Sequence, residues 1–342
     1  MLKEVKNNKQ KGTVLITVLL VVAFVAILLV EVNETVKYQS SLNKNLIHRD
    51  QAYSYLFGME ELAKIYLKKA FDATKEDRVH LGQEWSQDNI TFPFDGGVMS
   101  ASITDMQSCF NLNSLSAIYK GSSGEGKDNK GQQDQNKVTL GEEIFTSLLE
   151  KSMEDIEVQA ATLSAEARDW IDEDTTPSGP DGVEDLYYQG LDIAYLPPNS
   201  AIAHPSELMA VKSFSKKVYE AIKDYICVLP EAKDSSLNIN TISSDRAELL
   251  YAALGGKVTL EKVKEVISQR PEEGYEIQEF WDAIGSGVTV KKGLKERLDV
   301  TSKYFQMNAK AEIHNTKVYM RTLFIRKEEN QFRVVSRYFG KD

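Results

Sequence analysis

A segment without charge near the N-terminus places the strongest constraint on this chain of 342 residues. Residues 13–30 read TVLITVLLVVAFVAILLV and include neither Gly nor Pro. A run of about 18 apolar residues is long enough to cross a bilayer as one helix. Four lysines precede it: Lys3, Lys6, Lys9 and Lys11. Because a basic flank stays in the cytoplasm, we expect a single span (residues 13–32) and the rest of the chain on the far side of the membrane.

The candidate cleavage point distinguishes this N-terminus from an ordinary secretory signal. A secretory signal is cut after its apolar core, at a small-residue motif, and no clear motif of this kind follows residue 30. Here Lys11-Gly12 precedes the core instead. The arrangement resembles a type IV pilin-like leader, which a prepilin peptidase cuts after Gly12 and which leaves Thr13 as the methylated N-terminus. The alternative is a signal anchor that is not cleaved.

The chain is acidic, with a formal net charge of −10. Since its first twelve residues contribute a net +3 (four Lys and one Glu), the remainder carries about −13. Such a surface repels phosphate and attracts divalent cations, so the composition argues against a nucleic-acid partner. The two cysteines are Cys109 and Cys227. An oxidising compartment favours a disulfide between them, and the alternative is two buried free thiols that behave as small apolar side chains.

The helical pattern continues beyond the apolar segment. From residue 31 to residue 70 there is no Pro, and Gly58 is the only Gly. Apolar residues recur in this stretch at helical spacing: Leu42, Leu46, Tyr55, Leu56, Met59, Leu62, Ala63, Tyr66 and Ala70. We therefore predict one long helix over residues 13–70, whose second half packs this apolar stripe on its own domain.

The sequence predicts β-strands in two places, one before and one after the middle of the chain. Residues 90–92 and 98–103 flank Asp95-Gly96, and Asp-Gly between alternating apolar runs is typical of a β-hairpin. Residues 304–339 read as a meander of three strands, broken near residues 314–315 and 328–330. Strands at both ends predict one sheet that the C-terminus completes.

The middle of the chain has helical periodicity with frequent breaks. The candidate helices cover residues 142–151, 156–170, 206–211, 216–226, 245–253, 260–268 and 277–284. Residues 121–137 are polar and predict a flexible loop. We infer one αβ domain (residues 71–120 and 299–342) that carries an α-helical insertion at residues 138–298, because insertions succeed at exposed loops with close ends.

Five motifs, together with the leader and the apolar anchor, occur in an order that resembles one known family. They are HRDQAYSYLFGMEELA (residues 48–63), CFNLNSL (109–115), DWIDEDTTPSGPDGVEDLYY (169–188), SELMAV (206–211) and LNINT (237–241). In this order they resemble the K-type minor pseudopilins of type II secretion systems, the general secretion pathway protein K family. The resemblance covers nearly the full chain.

The resemblance implies a subunit without enzymatic activity at the tip of a periplasmic pseudopilus, anchored in the inner membrane by one span and used in protein export. The implied partners are the I- and J-type minor pseudopilins, an H-type subunit as a further candidate, the inner-membrane assembly platform and the prepilin peptidase. The implied fold class is α+β: a long N-terminal helix on a small antiparallel sheet, as in type IV pilins, with a large all-α insertion of helix-hairpin-helix or SAM-like type.

The fifth residue after the predicted cleavage point agrees with a position at the tip. Most pilin-like proteins have a Glu there, which pairs with the N-terminal amine of a neighbouring subunit, since an unpaired charge in a bilayer is costly. Here the residue is Thr17. A subunit that is added first has no earlier amine to neutralise, and the K-type family shares this omission. The alternative is that Thr17 simply bonds its own helix backbone.

An acidic loop within residues 169–185 is the best candidate binding site. Its predicted Ca²⁺ ligands are Asp172, Asp174, Thr176, Asp181, Glu184 and Asp185. Calcium takes six to eight oxygen ligands, often from carboxylates on an irregular loop, and the family resemblance implies calcium in the helical domain. The loop has no His or Cys, which argues against zinc. The alternative is a solvated acidic turn in which Asp172 caps a helix.

Three other functions fit the chain less well. The glycines at residues 255–256 and 285–287 are similar to those of helix-hairpin-helix proteins that take up DNA, but acidic residues outnumber basic ones across residues 245–282, which opposes phosphate binding. The four His lie in no H-E-x-x-H frame, and no G-x-S-x-G or P-loop frame occurs, so we expect no enzyme. A minor pilin of another machine would share the anchor, but LNINT and the acidic loop favour secretion.

Overall fold

A computed structural model describes residues 13–73, 77–87, 89–117, 138–153, 157–230 and 236–341. The leader (residues 1–12) and the polar loop predicted at residues 121–137 lie outside the described residues. The described helices are α1 (Thr13–Ala73), α2 (Leu140–Ser152), α3 (Ala160–Ile171), α4 (Asp185–Gln189), α5 (Lys216–Ile222), α6 (Ala247–Ala253), α7 (Leu260–Ser268), α8 (Ile277–Ile284) and α9 (Lys292–Lys295). The described strands are β1 (Ile90–Phe94), β2 (Gly97–Asp105), β3 (Phe110–Asn111), β4 (Ile226–Cys227), β5 (Leu237–Asn238), β6 (Leu298–Asp299), β7 (Tyr304–Ile313), β8 (Thr316–Arg326) and β9 (Phe332–Phe339).

Helix α1 is continuous over 61 residues. It contains no Pro, and its single glycine, Gly58, does not interrupt it. Residues 13–47 are exposed along their whole length. Among the described residues α1 is the one helix long and apolar enough to cross a membrane. Its exposed apolar half therefore needs lipid or partner helices to remove it from water.

The C-terminal part of α1 packs against the sheet. Its buried apolar side chains recur every three or four residues and are Ala52, Leu56, Met59, Ala63, Leu67, Ala70 and Phe71. The predicted stripe is confirmed at its buried positions, but it is wrong for Leu42, Leu46 and Leu62, which are exposed. Tyr55 is half-exposed, yet its ring stacks on Phe94 with the ring centres 4.1 Å apart. Leu42 and Leu46 precede the first buried residue, so the domain's own sheet does not cover them.

The sheet has five antiparallel strands in the order β1-β2-β7-β8-β9. The first hairpin turns at Asp95-Gly96, where Gly96 has a φ of +83°, as the Asp-Gly signal predicts. Strand β2 then pairs with β7, from Gly97 opposite Ile313 to Asp105 opposite Phe305. Alternate side chains of β7 are buried, so one face of the sheet covers α1. The C-terminal strands thus complete a sheet that begins before the helical segment, as predicted.

An ion pair between a buried carboxylate and an exposed arginine crosses the contact between α1 and the sheet. The buried Glu60 carboxylate accepts hydrogen bonds from Arg337 Nε at 2.6 Å and Nη2 at 2.8 Å, and from the Thr322 hydroxyl at 3.1 Å. Burial by itself raises the pKa of Glu60, but the hydrogen bonds and the charge of Arg337 outweigh it and hold this pKa below its ordinary value. A rotated helix would leave the carboxylate buried without a partner, so the pair selects the face of α1 that meets β8 and β9.

The insertion leaves the sheet after β2 and returns to it at β7, and helices α2 to α9 all contribute to one apolar core. Helices α7 and α8 have the bounds that the sequence predicts. Helix α5 ends at Ile222, before the predicted residue 226, because Ile226 pairs with Phe110 in the parallel ladder of β3 and β4. The predicted helix at residues 206–211 is a 3₁₀ helix, Pro205–Ala210. Helix α3 begins at Ala160, later than the predicted residue 156.

A buried carboxylate joins the insertion to the sheet. Asp105, at the end of β2, accepts a hydrogen bond from the Gln107 N–H at 2.8 Å. It also accepts one each from the side chains of Asn238 (3.1 Å), Thr241 (2.6 Å) and Ser302 (2.6 Å). Burial raises the pKa of Asp105, although the four hydrogen bonds act in the opposite direction. The LNINT motif, which supplies two of these donors, is therefore part of the junction between the two halves of the fold.

The two cysteines lie side by side at the β3–β4 ladder. Asn111 opposes Cys227 in this parallel pair, which brings Cys109 close to Cys227. Their Cα atoms are 5.8 Å apart, within the range that a disulfide spans. A bond here would close a loop of 118 residues around most of the helical insertion.

We predict that Cys109 and Cys227 carry no free thiol in protein purified from an oxidising compartment. A disulfide that closes a long loop stabilises a fold by about 2–5 kcal/mol, so the double variant Cys109→Ala/Cys227→Ala should have a lower free energy of unfolding. Thiol titration after unfolding, with and without a reducing agent, measures the bond directly. Two titratable thiols in unreduced protein would contradict the prediction.

Candidate metal centre

Three carboxylates come together where α3 ends and α4 begins. Asp169 lies in the last turn of α3, Asp172 follows its last residue, and Glu184 directly precedes α4. One oxygen atom of each lies within 4.8 Å of the others. The loop between the two helices contains one turn of 3₁₀ helix, Gly179–Asp181, which returns the chain to α3. The cluster therefore depends on the fold of this loop.

Asp169 holds the loop in place through its backbone. Its buried carboxylate accepts hydrogen bonds from the Ser178 N–H at 3.0 Å and from the Val183 N–H at 2.6 Å. Gly182 is required here, because a Cβ at this position would collide with the Asp169 carboxylate and the Ser178 backbone. Burial raises the pKa of Asp169 to about 6, although these hydrogen bonds oppose the rise.

Glu184 and Asp172 lack such donors. Glu184 is buried, yet among the described residues no donor reaches either of its carboxylate oxygens, and none reaches Asp172 Oδ1. Burial, followed by repulsion from Asp169 and other carboxylates, raises the pKa of Glu184 to about 8. Burial and the charges of Asp169 and Asp174 raise the pKa of Asp172 to about 7. Buried carboxylates are normally hydrogen-bonded, paired with a cation or bound to a metal.

The nearby arginine neutralises only part of this charge. Arg168 Nε lies 3.6 Å from Asp172 Oδ2, but Arg168 Nη1 lies 2.9 Å from Glu142 Oε2, so the guanidinium is shared between two carboxylates. A cluster of three carboxylates, two of which have oxygens without a donor, fits a divalent cation that prefers oxygen ligands. The cluster offers no nitrogen or sulfur ligand, which favours Ca²⁺ or Mg²⁺ over zinc.

The predicted ligands divide into two groups. The structure brings Asp172 and Glu184 together in the cluster. Asp174 and Asp185 lie near enough for their charges to raise the pKa of Glu184. Outside the cluster, Asp174 Oδ1 accepts a hydrogen bond from the Thr176 N–H at 2.8 Å, Asp185 Oδ1 accepts one from Asn199 at 3.5 Å, and Asp181 is exposed.

Asp169 is absent from the predicted ligand set. Its spacing to Asp172 contained the missing signal, because residues i and i+3 at a helix end lie on one face. The sequence also did not show what the asparagines of CFNLNSL do. Asn113 donates to the Ile202 and Leu229 carbonyls and accepts from the Ile202 N–H, and Asn111 accepts from the Leu229 N–H. These amides satisfy buried backbone groups and are structural.

Comparison with known proteins connects this arrangement to one family. A family model described as "Type II secretion system (T2SS), protein K" matches residues 108–231, and a second with the same name matches residues 237–301. The Type II secretion system protein K of Aeromonas hydrophila is 34% identical over 97% of this chain and 98% of its own length. The protein K of Klebsiella pneumoniae is 29% identical, with 98% of both chains covered.

A solved structure has the same fold. It is the crystal structure of the GspK-GspI-GspJ complex from the Type 2 Secretion System of enterotoxigenic Escherichia coli, and one of its chains matches with a TM-score of 0.73. The match covers 88% of this chain and 99% of that chain, at 23% sequence identity. The α+β architecture with its helical insertion is thus a known one, and the full-length similarity in sequence shows that this chain belongs to the Type II secretion system protein K family.

Proposed function

We propose that this chain is a minor pseudopilin at the tip of a type II secretion pseudopilus, anchored by residues 13–32 in the inner membrane with its globular part in the periplasm. The observation that carries the proposal is the exposed apolar half of α1, which joins a bilayer-length segment to a folded domain without a break. Family membership favours protein export over another pilus machine or a DNA-uptake role. The function is structural, with no catalysis.

The start of α1 supports a place at the end of the assembly. The Thr17 hydroxyl donates to the Val14 carbonyl at 2.9 Å, within its own helix, so this side chain is satisfied without a neighbouring subunit. A Glu at this position would require a partner for its charge in the bilayer. A subunit with Thr17 can therefore enter the membrane before any other, as an initiating subunit must. The bulky insertion would keep another subunit from stacking above it.

The exposed residues of α1 beyond the bilayer are the proposed contact with partners. The solved relative forms a complex with GspI and GspJ, and we infer that this chain assembles with the corresponding I- and J-type minor pseudopilins. Leu42 and Leu46 are exposed and lie one helical turn apart. Packing them against partner helices would bury apolar surface that the chain's own sheet leaves uncovered. An H-type subunit and the inner-membrane assembly platform are further candidate partners.

We predict that removal of the leader keeps the apolar helix in the mature protein. A prepilin peptidase should cut after Gly12 and leave Thr13 at the methylated N-terminus. Gly12→Phe should block this cut, whereas Gln10→Phe, which places the same bulk upstream, should not. Measurement of the intact mass after co-expression with the peptidase shows whether each variant has been cleaved. Normal processing of Gly12→Phe would refute the cleavage site.

We predict that Leu46→Glu prevents assembly with the I- and J-type subunits, because a buried carboxylate without a partner is costly. The control is Lys44→Glu, which places a Glu about 160° around the helix from both Leu42 and Leu46 and makes the larger change in net charge, −2 instead of −1. Co-purification of the three subunits in detergent, followed by size-exclusion chromatography, measures assembly. Equal yields of the complex with Leu46→Glu and with the wild-type chain would contradict this contact.

We further propose that Asp169, Asp172 and Glu184 hold a Ca²⁺ ion. Glu184 and Asp172 supply oxygens that no donor satisfies, and Asp169 fixes the loop that places them. Asp174, Thr176, Asp181 and Asp185 stay predicted ligands of the same loop, available to complete the six to eight oxygens that Ca²⁺ takes. When bound, the ion would neutralise repulsion between the carboxylates and stiffen the loop between α3 and α4.

We predict that Ca²⁺ stabilises the folded protein. At about 100 times its Kd, a ligand that binds only the folded state adds about 2.7 kcal/mol to the free energy of unfolding. Thermal unfolding with Ca²⁺ and with EGTA should differ for the wild-type chain and for the control Glu173→Gln, an exposed carboxylate of the same loop. Glu184→Gln should abolish the difference. An unfolding midpoint that EGTA leaves unchanged in the wild-type chain would refute the site.

A further inference from the structure

A group of exposed apolar side chains lies next to the acidic loop. It consists of Leu186, Tyr187, Ile193, Tyr195, Leu196 and Met209, which together form the apolar patch. Leu186 and Ile193 are 87% and 85% exposed, so they contribute almost nothing to the core of this chain. Single exposed apolar residues are common, but a cluster of them typically marks a binding surface.

Local contacts hold the patch together as one surface. After α4 the chain turns back, and the Tyr195 N–H donates to the Tyr188 carbonyl at 3.4 Å. The Tyr195 hydroxyl donates to the Ala210 carbonyl at 2.7 Å, which brings the neighbouring Met209 to the same place. These bonds bring the segments that carry residues 186–196 and residue 209 next to one another at the protein surface.

The patch rests on a packed aromatic base. Tyr188 is fully buried, and its ring centre lies 5.4 Å from that of Trp170 and 5.2 Å from that of Tyr195. The Trp170–Tyr188 contact is edge-on and the Tyr188–Tyr195 contact is tilted, and such aromatic contacts fix the rings relative to one another. A surface on a rigid base loses little conformational entropy when it binds, so the patch is prepared for a partner.

The charges at the border of the patch are acidic. Asp185 precedes Leu186, and Asp192 is exposed beside Ile193. The neighbouring cation, Lys212, lies 4.7 Å from the Tyr187 ring centre and 4.0 Å from the buried Glu166, so it is engaged within the chain. If a second copy of this chain bound here, its Asp185 and Asp192 would lie near Asp185 and Asp192 of the first copy and repel them. The headgroups of anionic lipid would be repelled by the same two carboxylates. Complementary charge requires a basic border on the partner.

We propose that the apolar patch docks a folded protein whose contact surface presents Leu, Phe or Met side chains bordered by Lys and Arg. The exposed tyrosines and Met209 are residue types enriched in protein interfaces, and they would supply the apolar contact. Asp192 would orient the partner and exclude surfaces with an acidic border. The patch lies on the helical insertion, apart from α1, so this partner would differ from the proposed I- and J-type subunits.

The test uses the full chain in detergent and two labelled amphipathic peptides. Both present Leu and Phe on one side, bordered in one peptide by Lys and in the other by Glu, and fluorescence anisotropy measures binding. We expect the Lys-bordered peptide to bind at least about tenfold more tightly. The double variant Leu186→Asn/Ile193→Asn should weaken that binding by about tenfold or more, since it removes two apolar anchors.

Two matched controls separate the patch from the rest of the acidic surface. Val138→Asn removes a side chain that is 58% exposed elsewhere on the insertion, and it should leave binding unchanged. Asp192→Asn should weaken binding of the Lys-bordered peptide, whereas Asp95→Asn, in the β1–β2 turn, should not. Equal binding of both peptides, or equal effects of Val138→Asn and the double variant, would overturn the proposal.

Other occupants give distinct results. Self-association of the wild-type chain that the double variant abolishes would identify a second copy as the occupant, and flotation with phosphatidylglycerol vesicles that the double variant abolishes would identify lipid. Either result would overturn the proposal. The double variant should still co-purify with the I- and J-type subunits. Loss of that assembly together with peptide binding would show that the patch is not a separate surface.

Discussion

The buried carboxylate of Asp105 is the interaction on which the joining of this chain's two halves depends. The sheet and the helical insertion each have an apolar core, and the chain crosses between them at the end of β2 and again before β7. Asp105 sits at the first crossing, Ser302 at the second, and Asn238 and Thr241 come from the LNINT motif between them. Since an unsatisfied buried carboxylate is costly, the two crossings and the motif must assemble together.

Asp105 and Glu184 are both buried carboxylates, but they differ in how far the chain satisfies their oxygens with hydrogen bonds. Asp105 receives four hydrogen bonds, all from neutral groups, and needs no ion. Glu184 receives none from the described residues, and its neighbours Asp169 and Asp172 add to its negative surroundings. The first arrangement is complete within the protein, whereas the second leaves buried carboxylate oxygens without a donor among the described residues. This contrast distinguishes a structural acid from a candidate ligand more clearly than the acidity of the sequence does.

The sequence predicted most of the fold because its signals were local. The Asp95-Gly96 turn, the alternation of β7 and the periodicity of α7 and α8 each depend on neighbouring residues. The predictions that were wrong concern residues whose contacts are far away in the sequence or belong to another chain. Helix α5 ends early because Ile226 pairs with Phe110, more than a hundred residues away. Leu42 and Leu46 have helical spacing, but spacing alone does not say whether the covering surface belongs to this chain or to another.

The candidate site was predicted in outline for the same reason. Clustered carboxylates and glycines are visible in the sequence, so the loop and two members of the cluster, Asp172 and Glu184, could be named. The i, i+3 spacing of Asp169 and Asp172 placed both on one face of the helix end, but the role of Asp169 in fixing the loop comes from backbone N–H groups that only the folded loop directs at it. The apolar patch was missed entirely, since Leu186 and Ile193 look like core residues until burial is known.

The length of α1 has a consequence for how subunits of different size can share one filament. At 1.5 Å per residue, the stretch between residue 32 and the first buried residue, Ala52, spans about 30 Å. With residues 13–32 in a bilayer, the part of α1 between residue 32 and Ala52 would hold the globular part away from the lipid surface. The globular domains of other subunits, placed closer to the membrane on their own N-terminal helices, can occupy that space. Subunits can then be displaced along the filament axis while every apolar helix stays in the membrane.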